Sequence, residues 1–185
     1  MTLLIDVGTV LRGTVCDLYS NLVTRPTGAA VRTAIEQQVR EVGEPVVTTI
    51  DFSQVSLLDF SCADEIVAKL LLRYGADDGP RGYLLFAGIQ EDHLDPIETV
   101  LAHHNLALVS WFEGSAELFG SVDDNERLHW ELVRDNGPLT ADSVAFMVGK
   151  EAAESSAALE RLRGRRLLMR REDGYTVPDM VRGAT

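Results

Sequence analysis

The residues best placed to do chemistry sit together in Asp59-Phe60-Ser61-Cys62-Ala63-Asp64-Glu65, which holds one hydroxyl, one thiol and three carboxylates. A serine at a helix N-terminus can accept an amide N–H, and with Asp64 three positions on, Ser61 forms a near capping box. The same hydroxyl is a candidate modification point. A phosphate there would add about −1.5 to −2 charge, favoured by a helix N-terminus and opposed by Asp59, Asp64 and Glu65. Ser61 therefore reads as a cap or as a switch, and both readings stay open. Arg25, just ahead of Pro26, could pair with a carboxylate of this loop or with a phosphate.

Other chemistries find little support. Hard cations need more oxygen ligands than Asp59, Asp64 and Glu65 offer, and acids in a first helical turn answer to the helix dipole. His93, His103, His104 and His129 lack metal-ligand spacing. No Ser-His-Asp order and no Gly-x-Gly-x-x-Gly loop stands out. Cys16 and Cys62 are too few for a disulfide framework or a zinc site, and Cys62 reads as a small core residue. The expectation is a protein without metal or cofactor, and not an enzyme.

The elements that would position Ser61 can be read on either side of it. Val46 to Ser53 is a near-continuous apolar strand, and Ala63, Ile66, Val67, Leu70, Leu71 and Tyr74 lie on one face of the helix that follows. Upstream, Leu3–Val10 and Thr14–Leu22 are β-permissive. Thr27 is placed to cap a helix striped by Val31, Ala34, Ile35, Val39 and Val42, which Gly43 and Pro45 stop. Downstream, a strand at 82–88, a helix from Glu91 to His104, a strand at 106–112 and a short helix from Ser115 to Phe119 complete an alternation that argues for an α/β sheet covered by helices.

After a linker at 121–125 the pattern changes. Glu126–Asp135, a Thr140-capped helix through Val148, and Lys150–Arg163 read as three helices. Leu167–Arg171 and Tyr175–Val177 around Glu172-Asp173-Gly174 read as a hairpin. Three helices and a hairpin form the layout of a winged helix-turn-helix.

Two resemblances follow from these residues. Residues 1–120, through Arg25-x-x-Gly28, Ile50-Asp51-Phe52-Ser53-Gln54-Val55 and Ser61-Cys62-Ala63-Asp64-Glu65, resemble STAS-like domains, relatives of the anti-sigma-factor antagonists. The resemblance implies a small α/β fold that docks protein partners, often serine-kinase- or histidine-kinase-like regulators, with Arg25, Gly28, Asp59, Phe60, Asp64 and Glu65 at the docking surface. In the antagonists a serine at this helix mouth is phosphorylated. They carry Asp-Ser-Ser/Thr-Gly where this chain has Asp59-Phe60-Ser61-Cys62. In the second domain, taken as 126–185, the chain over roughly residues 124–180, through Leu159-Glu160-Arg161-Leu162-Arg163-Gly164-Arg165-Arg166-Leu167-Leu168, is similar to the third helix and wing of bacterial winged-helix regulators.

If that second part reads DNA, Lys150, Ser155 and Ser156 would stand at the start of the reading helix. Arg161, Arg163, Arg165, Arg166, Arg170 and Arg171 would meet the phosphates around its end and the wing. Charge qualifies this. The chain carries a net −12, and residues 1–120 hold seven Lys/Arg against seventeen Asp/Glu. Residues 121–185 hold ten against twelve. An acidic protein repels nucleic acid unless its cations are segregated.

The N-terminal segment lacks a basic region and a long apolar run, and no stretch is long enough to span a bilayer, so a cytoplasmic protein with no membrane contact is expected. The sequence reading is a regulatory protein in which a STAS-like domain docks a partner and a winged helix is the output. The alternative is a transcription factor whose first domain dimerises while the wing binds duplex DNA. A homodimer stays open in both.

Overall fold

The computed structural model describes residues 1–15, 20–43, 45–112 and 114–179. The chain divides into two compact units, Met1–Ser121 and Val122–Asp179.

The first unit is mixed α/β, built on a five-stranded, mainly parallel sheet of order β1-β3-β5-β6-β7. Its strands are β1 (Thr2–Asp6), β3 (Val47–Asp51), β5 (Tyr83–Ala87), β6 (Ala107–Phe112) and β7 (Ser115–Gly120), and only β7 runs antiparallel. Two short strands, β2 (Asn21–Leu22) and β4 (Leu57–Leu58), pair apart from it. The helices are α1 (Val7–Thr14), α2 (Arg25–Val42), α3 (Phe60–Ala63), α4 (Lys69–Gly75) and α5 (Glu91–His104), with a π-helical turn, Asp64–Ala68, joining α3 to α4. They touch one another, α1 on α2 and both α2 and α5 on α3 and the π turn. Ile5, Ile50, Leu84, Phe86 and Leu108 from the sheet join Val31, Ile35, Ile66, Ile97 and Val100 from the helices in one core.

Three expectations need correction here. The strand expected over 3–10 ends at Asp6, whose carboxylate accepts the Gly8 and Thr9 amides and starts α1. An N-cap overrides the β-propensity of Val7 and Val10. Of the strand expected over 14–22 only Asn21–Leu22 is seen, and residues 16–19, with Cys16, lie outside the described residues. The short helix expected over 115–119 is β7: Ala116 and Leu118 are buried while Ser115 and Glu117 are exposed, the period of a strand, and the whole segment pairs with β6.

The second unit holds α6 (Asp124–Asn136), α7 (Ala141–Val148), α8 (Ala152–Gly164) and a hairpin of β8 (Met169–Arg171) with β9 (Gly174–Thr176). Its core includes Trp130, Val133, Val144, Leu159, Leu162 and Leu168. The Trp130 indole N–H donates to the Leu167 carbonyl, tying α6 to the chain between α8 and β8. Leu139 bridges to Tyr175, adding an antiparallel rung beside β9. The linker expected through Asn125 is shorter, because Asp123 accepts the Glu126 amide and α6 begins at Asp124. Among the described residues no helix is long and apolar enough to cross a membrane.

Candidate functional site

The mouth of α3 is closed by Asp59, where Ser61 was one expected cap. The Asp59 carboxylate accepts the Cys62 amide at 2.8 Å, and the Ser61 hydroxyl, half-buried in the first turn, donates back to it at 2.9 Å. The reason is register: the helix starts at Phe60, so the side chain one position earlier reaches the free N–H groups. The same correction applies to α2. Thr24 accepts the Thr27 amide and Pro26 sits inside the first turn, where its missing N–H costs nothing.

The next residues carry a dense ion-pair cluster. Arg25 donates to Asp64 at 2.7 Å and to Glu65 at 2.9 Å. Arg32 reaches the other Glu65 oxygen at 3.4 Å, and Lys69, one turn on, also bonds Glu65. The His104 ring meets Asp64 at 2.8 Å. Asp64 and Glu65 are consecutive, yet one serves α5 and both serve α2. The π turn opens the helix by one residue per turn at this point, a feature often met at functional sites.

Burial alone would raise both carboxyls. The bonds from Arg25 and His104 on Asp64, and from Lys69 and Arg25 on Glu65, outweigh it and hold both below their usual range. Cys62 behaves oppositely. Burial, with Asp59 beside it, pushes the thiol up to about 11, and its Sγ lies 3.0 Å from the Thr24 carbonyl. Such a thiol is inert at neutral pH.

This geometry separates the expected docking residues. Gly28 and Glu65 are buried, and two of the six therefore leave the surface. Gly28 serves packing: a Cβ there would lie 3.0 Å from the Cys62 Cα and 3.1 Å from the Glu65 Cβ, so its absence lets α2 approach α3. Glu65 is the buried anchor of the cluster. Arg25, Asp59, Phe60 and Asp64 retain exposure, and Phe60 is 46% exposed at the mouth itself, next to Leu57 at 46%. Arg32, Lys69 and His104 joined the cluster without being singled out from sequence. The i, i+4 spacing of Glu65 and Lys69 was a usable signal; His104 gave none, because its partner lies forty residues away.

In the second unit most expected DNA-contacting cations are already paired. Glu126, buried, accepts from Arg161 at 3.1 Å and from Arg165 at 2.9 Å. Glu160 takes Arg163 at 2.7 Å, Arg170 at 3.3 Å and the Tyr175 hydroxyl. These bonds, the tyrosine's first, keep the Glu160 carboxyl low.

Lys150 lies before α8, not in it, and bonds Asn125 and Glu154. Ser155 corrects a further expectation. It is fully buried and bonded to His129, with the other His129 nitrogen on the Asn125 carbonyl, so it fastens α8 to α6 and faces no nucleic acid. Arg166 adopts φ 60° after the helix. Arg171 is exposed and forms no ion pair among the described residues. Ser156, Thr140, Arg170, Arg171 and Tyr175 line a small cavity of about 150 Å³ between the start of α7 and the hairpin.

No family model, curated protein or solved structure matches the chain.

Proposed function

We propose that the protein is a non-enzymatic regulator in which a STAS-like unit docks a protein partner at the mouth of α3 and a winged-helix unit carries the output. The observation that carries this reading is two exposed apolar side chains flanking the Asp59 cap, Leu57 on β4 and Phe60 at the start of α3, whose continuation is tied to α2 by the Arg25, Asp64 and Glu65 bonds. Exposed apolar side chains on a rigid, polar-rimmed support suit a partner interface, because little ordering entropy opposes binding. In the second unit the order helix, bridge, helix, helix, hairpin supports the winged-helix assignment.

The Ser61 hydroxyl gives this surface its switch. It donates to Asp59, and a phosphate in its place would remove that donor and set a second anion against the cap. Phosphorylation of Ser61 would thus loosen the mouth and release the partner, which is the class of serine-kinase-like or histidine-kinase-like regulators.

The experiment is a photo-cross-linker placed at Leu57 of the full chain in its host. A discrete protein adduct that Phe60→Ala abolishes supports docking. No adduct at Leu57, or one indifferent to Phe60→Ala, overturns it.

Duplex DNA is the second reading. It is favoured by the cavity that Arg170 and Arg171 line beside Thr140 and Ser156, two cations against the single carboxylate of Glu172 in the same lining. Against it stand Glu126 and Glu160, which hold Arg161, Arg165, Arg163 and Arg170.

A further inference from the structure

We propose that the protein forms a two-fold dimer by antiparallel pairing of β1 with β1 of a second copy. β1 is the outer strand on one side of the sheet and is bonded to β3 alone. On its outer side β1 pairs with no other strand among the described residues, and at its end the Asp6 carbonyl turns to α1, which Asp6 caps.

Soluble proteins guard such an edge with lysine, proline or a bulge. Thr2-Leu3-Leu4-Ile5-Asp6 has none of these, and its register with β3 runs unbroken through all five residues. It is apolar instead. Leu4 is 65% exposed and Met1 69%.

The occupant follows from the residues themselves. With a two-fold axis at Leu4, Leu4 meets its own copy, Leu3 meets Ile5 and Thr2 meets Asp6. Asp6, the strand's one charge, then faces a hydroxyl and stays a strand's length from the second Asp6, and it is already bonded to the Gly8 amide and the Thr9 hydroxyl. Like charges directly opposite would oppose pairing, and this register has none. A second copy satisfies the open backbone and brings an apolar partner to Leu4 in the same step, as a self-complementary interface requires. The inference is independent of the docking reading at α3.

Sedimentation velocity on the full chain tests it. The wild type is expected to dimerise with increasing concentration, and Leu4→Lys or Thr2→Lys, both at exposed positions, should weaken the dimer at least about tenfold while leaving the circular dichroism unchanged. In a Cys16→Ser background, Leu4→Cys should form a disulfide dimer on mild oxidation, since antiparallel neighbours stand about 4.5–5.5 Å apart, within disulfide reach. Gln37→Cys on α2 should not. A wild type that remains monomeric at about 100 µM, where a specific interface of useful affinity would be occupied, overturns the proposal. So does a dimer indifferent to both lysines, or one that Leu4→Cys fails to cross-link.

Discussion

Glu65 is a buried carboxylate facing three cations, Arg25 and Arg32 from α2 and Lys69 one turn on. Removing one side of a buried pair leaves the other side uncompensated, so Glu65→Ala should cost about 3 kcal/mol of stability, read as a lower urea midpoint. Acid should act in two stages. His93 is buried in the core against Phe52, its Nδ1 accepts the Gln90 amide, and burial holds its pKa below the usual value even with Asp92 nearby. A histidine kept neutral in the fold contributes stability that is complete above about pH 6.5 and is lost as pH falls below it. Asp64 and Glu65, held low, contribute stability that is complete above about pH 4 and is lost as pH falls through their folded values. Urea midpoints measured from neutral pH downward should fall in these two windows, and Glu65→Gln should shrink the lower one. A midpoint that stays flat until the carboxylate window would contradict the account of His93.

The mouth of α3 depends on its cap and on one close approach between helices. Asp59→Ala should cost about 1 kcal/mol and Gly28→Ala about 1–3 kcal/mol by overpacking against Cys62 and Glu65. Thermal melts of the full chain would read both. If Gly28→Ala were neutral, α2 would have to yield where the ion pairs hold it. Gly88 sets a harder limit: at φ 66° a Cβ would lie 2.3 Å from the Ser53 amide nitrogen, so alanine there combines strain with a clash.

How far these elements were legible depends on what formed them. Periodicity was enough for α5, expected and found over Glu91–His104, and for the apolar strands β3, β5 and β6. Residues 115–119 misled because Ala116, Leu118 and Glu117 tolerate a helix, and pairing with β6, a long-range contact, made them a strand. Capping misled by register. Asp59 and Ser61 are both good caps, and the choice fell to the residue that reaches the Cys62 amide. The π turn has no sequence signature, so Arg32 and His104 could not be placed at the cluster beforehand.

At the scale of the whole chain, a net charge of −12 and internally paired arginines set the terms for any nucleic-acid role. The full chain should bind random duplex DNA weakly, with a shallow dependence of log affinity on log salt, because few arginines remain to displace counterions. Fluorescence anisotropy at two salt concentrations measures it. A steep slope that Arg171→Ala reduces by about one would favour the DNA reading.

Docking of a protein at the proposed α3 mouth, governed by Ser61, is read from the yield of the Leu57 photo-cross-link in the otherwise unaltered chain and in Ser61→Asp, Ser61→Ala and Arg171→Ala backgrounds. An adduct is expected that survives Ser61→Ala and Arg171→Ala and is lost in Ser61→Asp. Equal yields in the Ser61→Ala and Ser61→Asp backgrounds, or a yield that follows Arg171, would contradict it.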